Sequence, residues 1–143
     1  FCAKGADVLT ELKKKYGDKI QVAFKQYPLP FHNHAEGAAV ASLCANEQSS
    51  KLFWKMHDEM FKNQDSLSAD GLKKLAKNVG LKSADFDKCM AENKYLAQVK
   101  ADMEEGQKIN VKSTPTFFIN GQLIAGAQPL DVFTQLIDEE LAK

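Results

Sequence analysis

Val111-Lys112-Ser113-Thr114-Pro115-Thr116-Phe117-Phe118-Ile119-Asn120-Gly121-Gln122-Leu123-Ile124-Ala125 reads differently from the rest of the chain. Two apolar runs, 116–119 and 122–125, flank Asn120-Gly121. Asn-Gly between such runs is the strongest short hairpin signal, because a type I′ turn takes positive φ at both central residues. The segment therefore predicts a β-hairpin. Pro115 stands just ahead of its first strand. A proline lacks the N–H that a ladder uses and belongs at a strand's first position. Two readings are open for it: an ordinary trans strand-initiating proline, or a cis Thr114–Pro115 bond, since only X–Pro bonds tolerate cis cheaply.

Outward from the hairpin the apolar period is helical. Residues 129–142 carry Leu130, Phe133, Leu136, Ile137 and Leu141 at helical spacing. Upstream, 94–109 present Tyr95, Leu96, Val99 and Met103, and Ser83 opens a short helix with Phe86, Cys89 and Met90. Ser68 is a candidate cap for a helix bearing Leu72, Leu75, Ala76 and Val79 that stops at Gly80. Two more helices are predicted over 51–62 and 34–47. At the N-terminus, Cys2, Ala6, Leu9, Leu12 and Tyr16 form one apolar stripe over 2–16, stopped by Gly17. Residues 20–27 alternate apolar and polar, which predicts a strand, ended by Pro28-Leu29-Pro30. The order is α, β, five helices, β-hairpin, α, and the fold class is α/β.

Nineteen basic residues offset nineteen acidic ones in 143 residues. A neutral chain offers no electrostatic case for nucleic acid or an anionic membrane. Lys13-Lys14-Lys15 and Lys73-Lys74 read as solvated helix faces. No apolar run approaches the ~20 residues that cross a bilayer. His32-x-His34 has no cysteine or carboxylate at ligand spacing, so it reads as a loop with helix-capping histidines, and no metal is expected. His57, between Phe53 and Phe61, reads as a core histidine, and Trp54 as core.

Cys2, Cys44 and Cys89 are the cysteines. Cys2 falls in the first turn of a helix, where unpaired N–H groups and the helix dipole favour a thiolate. A small buried apolar residue is the alternative reading.

Taken together, two motifs carry a resemblance. The 111–121 segment resembles the cis-proline loop and following hairpin of the thioredoxin superfamily. Phe1-Cys2-Ala3-Lys4-Gly5 resembles the second half of a Cys-x-Phe-Cys redox motif opening the first helix. The helical block between strand and hairpin resembles the insertion of DsbA-like thiol–disulfide oxidoreductases, with Tyr27-Pro28-Leu29-Pro30, Leu43-Cys44-Ala45 and Phe53-Trp54-Lys55-Met56-His57 similar to a common bacterial subgroup. The resemblance covers essentially the whole chain. It implies a single thioredoxin-like domain over 1–143 with an inserted helical subdomain at about 34–109. It also implies that the sequence begins within its own motif, lacking the strand before the active-site helix.

The resemblance further implies a redox-active centre. Cys2 is its resolving cysteine, with the nucleophilic cysteine three positions earlier, outside the chain. Thr114 and Pro115 bind substrate peptide. The partners are substrate proteins with cysteine thiols or disulfides and a redox partner protein, with no cofactor, metal or nucleic acid. The location is periplasmic or otherwise exported, in a bacterium. The 143-residue chain alone is expected to have little dithiol oxidase activity. Two alternatives remain: a non-catalytic thioredoxin-fold binding module, and a glutathione-dependent isomerase or transferase of the same fold. The subgroup often carries cysteines at places like Cys44 and Cys89, which implies a structural disulfide between them; two buried free thiols are the competing reading.

Overall fold

In the computed structural model, which describes residues 1–143, the hairpin forms as strands β1 (Thr116–Ile119) and β2 (Gln122–Ala125). Asn120 and Gly121 hold φ of 47° and 87° at its turn. Phe117 pairs with Ile124 and Phe118 with Leu123. One face carries buried Ile124 and half-buried Phe117, while Phe118 and Leu123 on the other are exposed. These two strands are the whole sheet.

The chain forms two compact units. The first joins residues 1–24 to 110–143. It holds the hairpin, helix α1 (Cys2–Tyr16) and the last helix, α7 (Leu130–Leu141). Its core is Leu12 and Tyr16 of α1, Ile124 of β2, and Phe133 and Ile137 of α7. Phe117 meets Phe133 edge-on at 4.9 Å, an arrangement aromatic rings prefer. α1 ends where Gly17 takes φ 51°.

The second unit, 25–109, is helical throughout: α2 (Ala35–Gln48), α3 (Ser50–Lys62), α4 (Ala69–Val79), α5 (Ser83–Ala91) and α6 (Leu96–Lys108). Val40, Cys44, Met56, Leu72, Phe86 and Val99 are among the side chains buried at its centre. The caps are local and follow from side-chain chemistry. Ser49 accepts from Leu52 N–H at 3.1 Å and opens α3, and Ser68 accepts from Gly71 N–H at 3.2 Å and opens α4. α4 ends at Gly80 with φ 91°. α5 lacks a side-chain cap of its own. Gln48 supplies one instead: its amide accepts from Lys82 N–H at 2.8 Å and donates to Lys82 C=O at 3.2 Å.

Two expectations are corrected. Residues 20–27 form no strand. Their alternation matched a half-buried strand, but a ladder needs a neighbouring strand, and β1 and β2 pair only with each other. The segment runs without regular structure. Ile20 packs on the first core, and Gln26 is held by side chains: its N–H donates to Asp102 Oδ2 at 3.0 Å and its amide to Ser42 Oγ at 2.8 Å. Nor do the histidines cap a helix. His34 stands at the α2 N-cap without a side-chain bond, and His32 stacks on Phe31, ring centroids 4.7 Å apart.

Candidate functional site

Cys2 is the first residue of α1, half-buried, and its thiol is free. The helix begins there with Gly5 N–H donating to Phe1 C=O at 3.1 Å. Gly5, one turn on and on the same face as Cys2, is buried. It abuts the loop before β1: a Cβ added at Gly5 would lie 3.2 Å from Pro115 Cγ and 3.2 Å from Phe117 Cζ. The first turn of α1 thus packs directly on Pro115.

The Thr114–Pro115 bond is cis. The loop around it is tied at two points: Gly126 N–H donates to Pro115 C=O at 2.8 Å, and the Thr116 hydroxyl donates to Ser113 C=O at 2.7 Å. Thr114 is half-buried beside it. The helix turn that carries the free thiol and the cis-proline loop therefore pack together, through Gly5, within one unit.

The far end of α1 is anchored as well. Tyr16 Oη donates to Asp138 Oδ1 at 2.7 Å and lies 3.3 Å from the Thr134 carbonyl oxygen. Burial, then the bond to Asp138 and that residue's charge, push the phenol's pKa up to about 12.

The other two cysteines lie in the helical unit. Cys44 of α2 and Cys89 of α5 are joined, Sγ–Sγ 2.10 Å and Cα–Cα 5.9 Å, deep in the core. His57 is buried, its Nδ1 2.9 Å from Asp58 Oδ1 and its ring 5.2 Å from Trp54 and 5.0 Å from Phe61. That is a packed, hydrogen-bonded histidine within an aromatic cluster.

Residues 1–139 match the family described as Thioredoxin. The chain belongs to the thioredoxin family. Among thioredoxin-like structures, the thiol–disulfide exchange protein alpha-DsbA2 from Wolbachia pipientis superposes with TM-score 0.88 at 21% identity, covering 97% of this chain and 74% of that one. The disulfide bond formation protein D of Bacillus subtilis is 26% identical, over 95% of this chain and 64% of its own length. A Na(+)/H(+) antiporter, NhaA 1 of Mycobacterium sp., is 30% identical over 85% of this chain. The chain spans only 20% of that antiporter's length. The thioredoxin-like fold, helix-rich with a small sheet, is thus DsbA-like, with the helical unit inserted between α1 and the hairpin.

Two residues escaped the sequence reading. Gly5 reads as a neutral gap in the α1 stripe. A glycine inside a helix is costly relative to alanine, and that is the signal that a close neighbour requires it. Asp102 sits on the exposed-looking side of a charged helix, yet it is buried, accepting from Gln26 N–H and, at 2.9 Å, from Gln98 Nε2.

Proposed function

We propose that this chain is the body of a DsbA-like thiol–disulfide oxidoreductase acting on exported proteins, with Cys2 as the resolving cysteine and Thr114 and Pro115 as the peptide-binding loop. The observation that carries this reading is the packing of α1's first turn, through Gly5, on cis-Pro115. The nucleophilic thiol belongs three positions before Cys2. In the reductive direction its thiolate attacks a substrate disulfide, forming a mixed disulfide with one substrate sulfur while the other leaves as a thiolate. The Cys2 thiolate attacks that bond, joins the upstream sulfur, and the substrate leaves as a thiolate. Run in reverse, the same steps deliver a disulfide, and a redox partner protein then restores the motif. The backbone at Thr114 pairs with the substrate peptide as an added strand does. The buried Cys44–Cys89 bridge supports an oxidising, exported location, since a cytosol keeps such thiols reduced.

The test compares two proteins in an insulin-reduction assay. One is the 143-residue chain. The other is the same chain extended upstream with a cysteine three positions before Cys2. Turnover only in the second, lost on Cys2→Ser, is the expected result. Turnover by the 143-residue chain at the rate of a two-cysteine enzyme overturns the assignment.

A further inference from the structure

We propose that Gly5 is a positioning residue of this site: its missing side chain sets how near the first turn of α1 stands to the cis-proline loop, and so which substrates exchange at Cys2. This rests on the reading of Cys2, Thr114 and Pro115 given above.

Glycine at this place is not required by conformation. Gly5 lies within α1 and, unlike Gly17, does not adopt the left-handed region. A helix interior disfavours glycine relative to alanine. What does require it is space. An added Cβ would meet Pro115 Cγ at 3.2 Å, Pro115 Cβ at 3.4 Å and Phe117 Cζ at 3.2 Å. All three are closer than ordinary carbon contact at about 3.5–4.0 Å. A methyl group there pushes helix and loop apart by a few tenths of an ångström.

The loop side resists, because Pro115 is bonded through its carbonyl to Gly126 N–H at 2.8 Å and Phe117 is packed against Phe133 at 4.9 Å. At the helix side, Leu12 is in the core and Tyr16 is bonded to Asp138. Both anchors lie beyond Gly5, toward the C-terminal end of α1. The free end of that lever is the turn that carries Cys2. A peptide lying along the cis-proline loop must present its sulfur to Cys2 across this same gap, whereas a small disulfide needs only the exposed part of the thiol. Gly5 therefore controls exchange with peptides more than exchange with small molecules.

The experiment follows Cys2 in the full chain, without reductant, against two probes: 5,5′-dithiobis(2-nitrobenzoate) and a disulfide-linked peptide pair. In each, the Cys2 thiolate forms one new disulfide bond and one probe thiolate leaves. The expected result for Gly5→Ala is a fall of roughly tenfold in the peptide-to-small-probe rate ratio, the scale that sub-ångström misplacement produces. Adding Phe117→Leu removes one of the two obstructing groups and leaves the other, Pro115, in place. The double variant's rate ratio should therefore stay low. A wild-type ratio in the double variant, or an unchanged ratio in Gly5→Ala, overturns the proposal. Pro115→Ala tests the underlying reading by itself: if it leaves the wild-type ratio unchanged, the site assignment fails, whereas a lowered ratio with Gly5→Ala inert means that only the role of Gly5 fails.

Discussion

Tyr16, at the last residue of α1, donates its hydroxyl to Asp138 of α7 at 2.7 Å, and so holds the C-terminal end of the thiol-bearing helix. Asp138 is exposed and water can replace the phenol, so Tyr16→Phe is expected to cost only about 1 kcal/mol. The alkaline behaviour is more distinctive. The folded pKa, about 12, lies above the ordinary 10.0, so the folded protein retains a proton that the unfolded chain gives up. Stability from this residue is complete below pH 10 and is lost as pH rises toward 12. Urea midpoints across that range should decline in the wild type, with this component missing from Tyr16→Phe.

Gly71 and Gly37 should respond oppositely to the same substitution. A Cβ at Gly71 would stand 1.9 Å from the Ser66 carbonyl oxygen, a backbone atom that cannot swing aside. Gly71→Ala is expected to lose about 2 kcal/mol or more, despite its better helix propensity. At Gly37 the nearest atom would be Leu72 Cδ1 at 3.8 Å, an ordinary contact. Gly37→Ala is expected to gain about 0.5–1 kcal/mol. Denaturant unfolding of the two variants side by side checks both signs.

Removing the Cys44–Cys89 bridge should be the most damaging change in the helical unit. It closes a sequence separation of 45 residues, which the chain-entropy account values at about 4 kcal/mol. The paired replacement Cys44→Ala with Cys89→Ala is expected to lower the guanidinium midpoint, with far-UV circular dichroism reporting the loss. A midpoint equal to that of the wild type would contradict the structural role.

Gln48→Ala should act locally. The variant removes both bonds that hold Lys82 at the start of α5. The bonds are exposed, so about 1 kcal/mol is expected. Amide hydrogen exchange should accelerate at Lys82 and leave the core of α2 protected.

The sequence marked its local features clearly and its long-range ones poorly. Asn120-Gly121 carries its turn in two adjacent residues, and the strands beside it fall at 116–119 and 122–125, where the two apolar runs place them. Ser68 and Gly80 bound α4 because a cap is satisfied within a few residues. The strand expected at 20–27 failed for the opposite reason: pairing depends on a partner that no local pattern reveals, and Gln26 found Asp102 and Ser42 instead. In the candidate site, Cys2 and Pro115 stand out by residue type. Gly5 does not, because its role is visible only as the space between two elements far apart in the chain. The Gln48 clamp on α5 is hidden in the same way, since Ser83 looks like the natural cap.

The helical unit is stitched shut at its own doorway. Near its entry, Lys25 and Gln26 are bonded to Glu105 and Asp102 near its exit, at 3.1 Å and 3.0 Å. To the discontinuous fold that hosts it, such a unit is topologically a short tether, however many residues it holds, because its own bonds rather than the host's have closed the long loop. Loop length is thermodynamically inexpensive in any case, rising only as a logarithm, and inserts with neighbouring ends are the ones domains accept. The helical unit is therefore an exchangeable cassette: lineages or engineers can lengthen, shorten or replace it between the same two stitches while the thiol, the cis-proline loop and the hairpin keep their register.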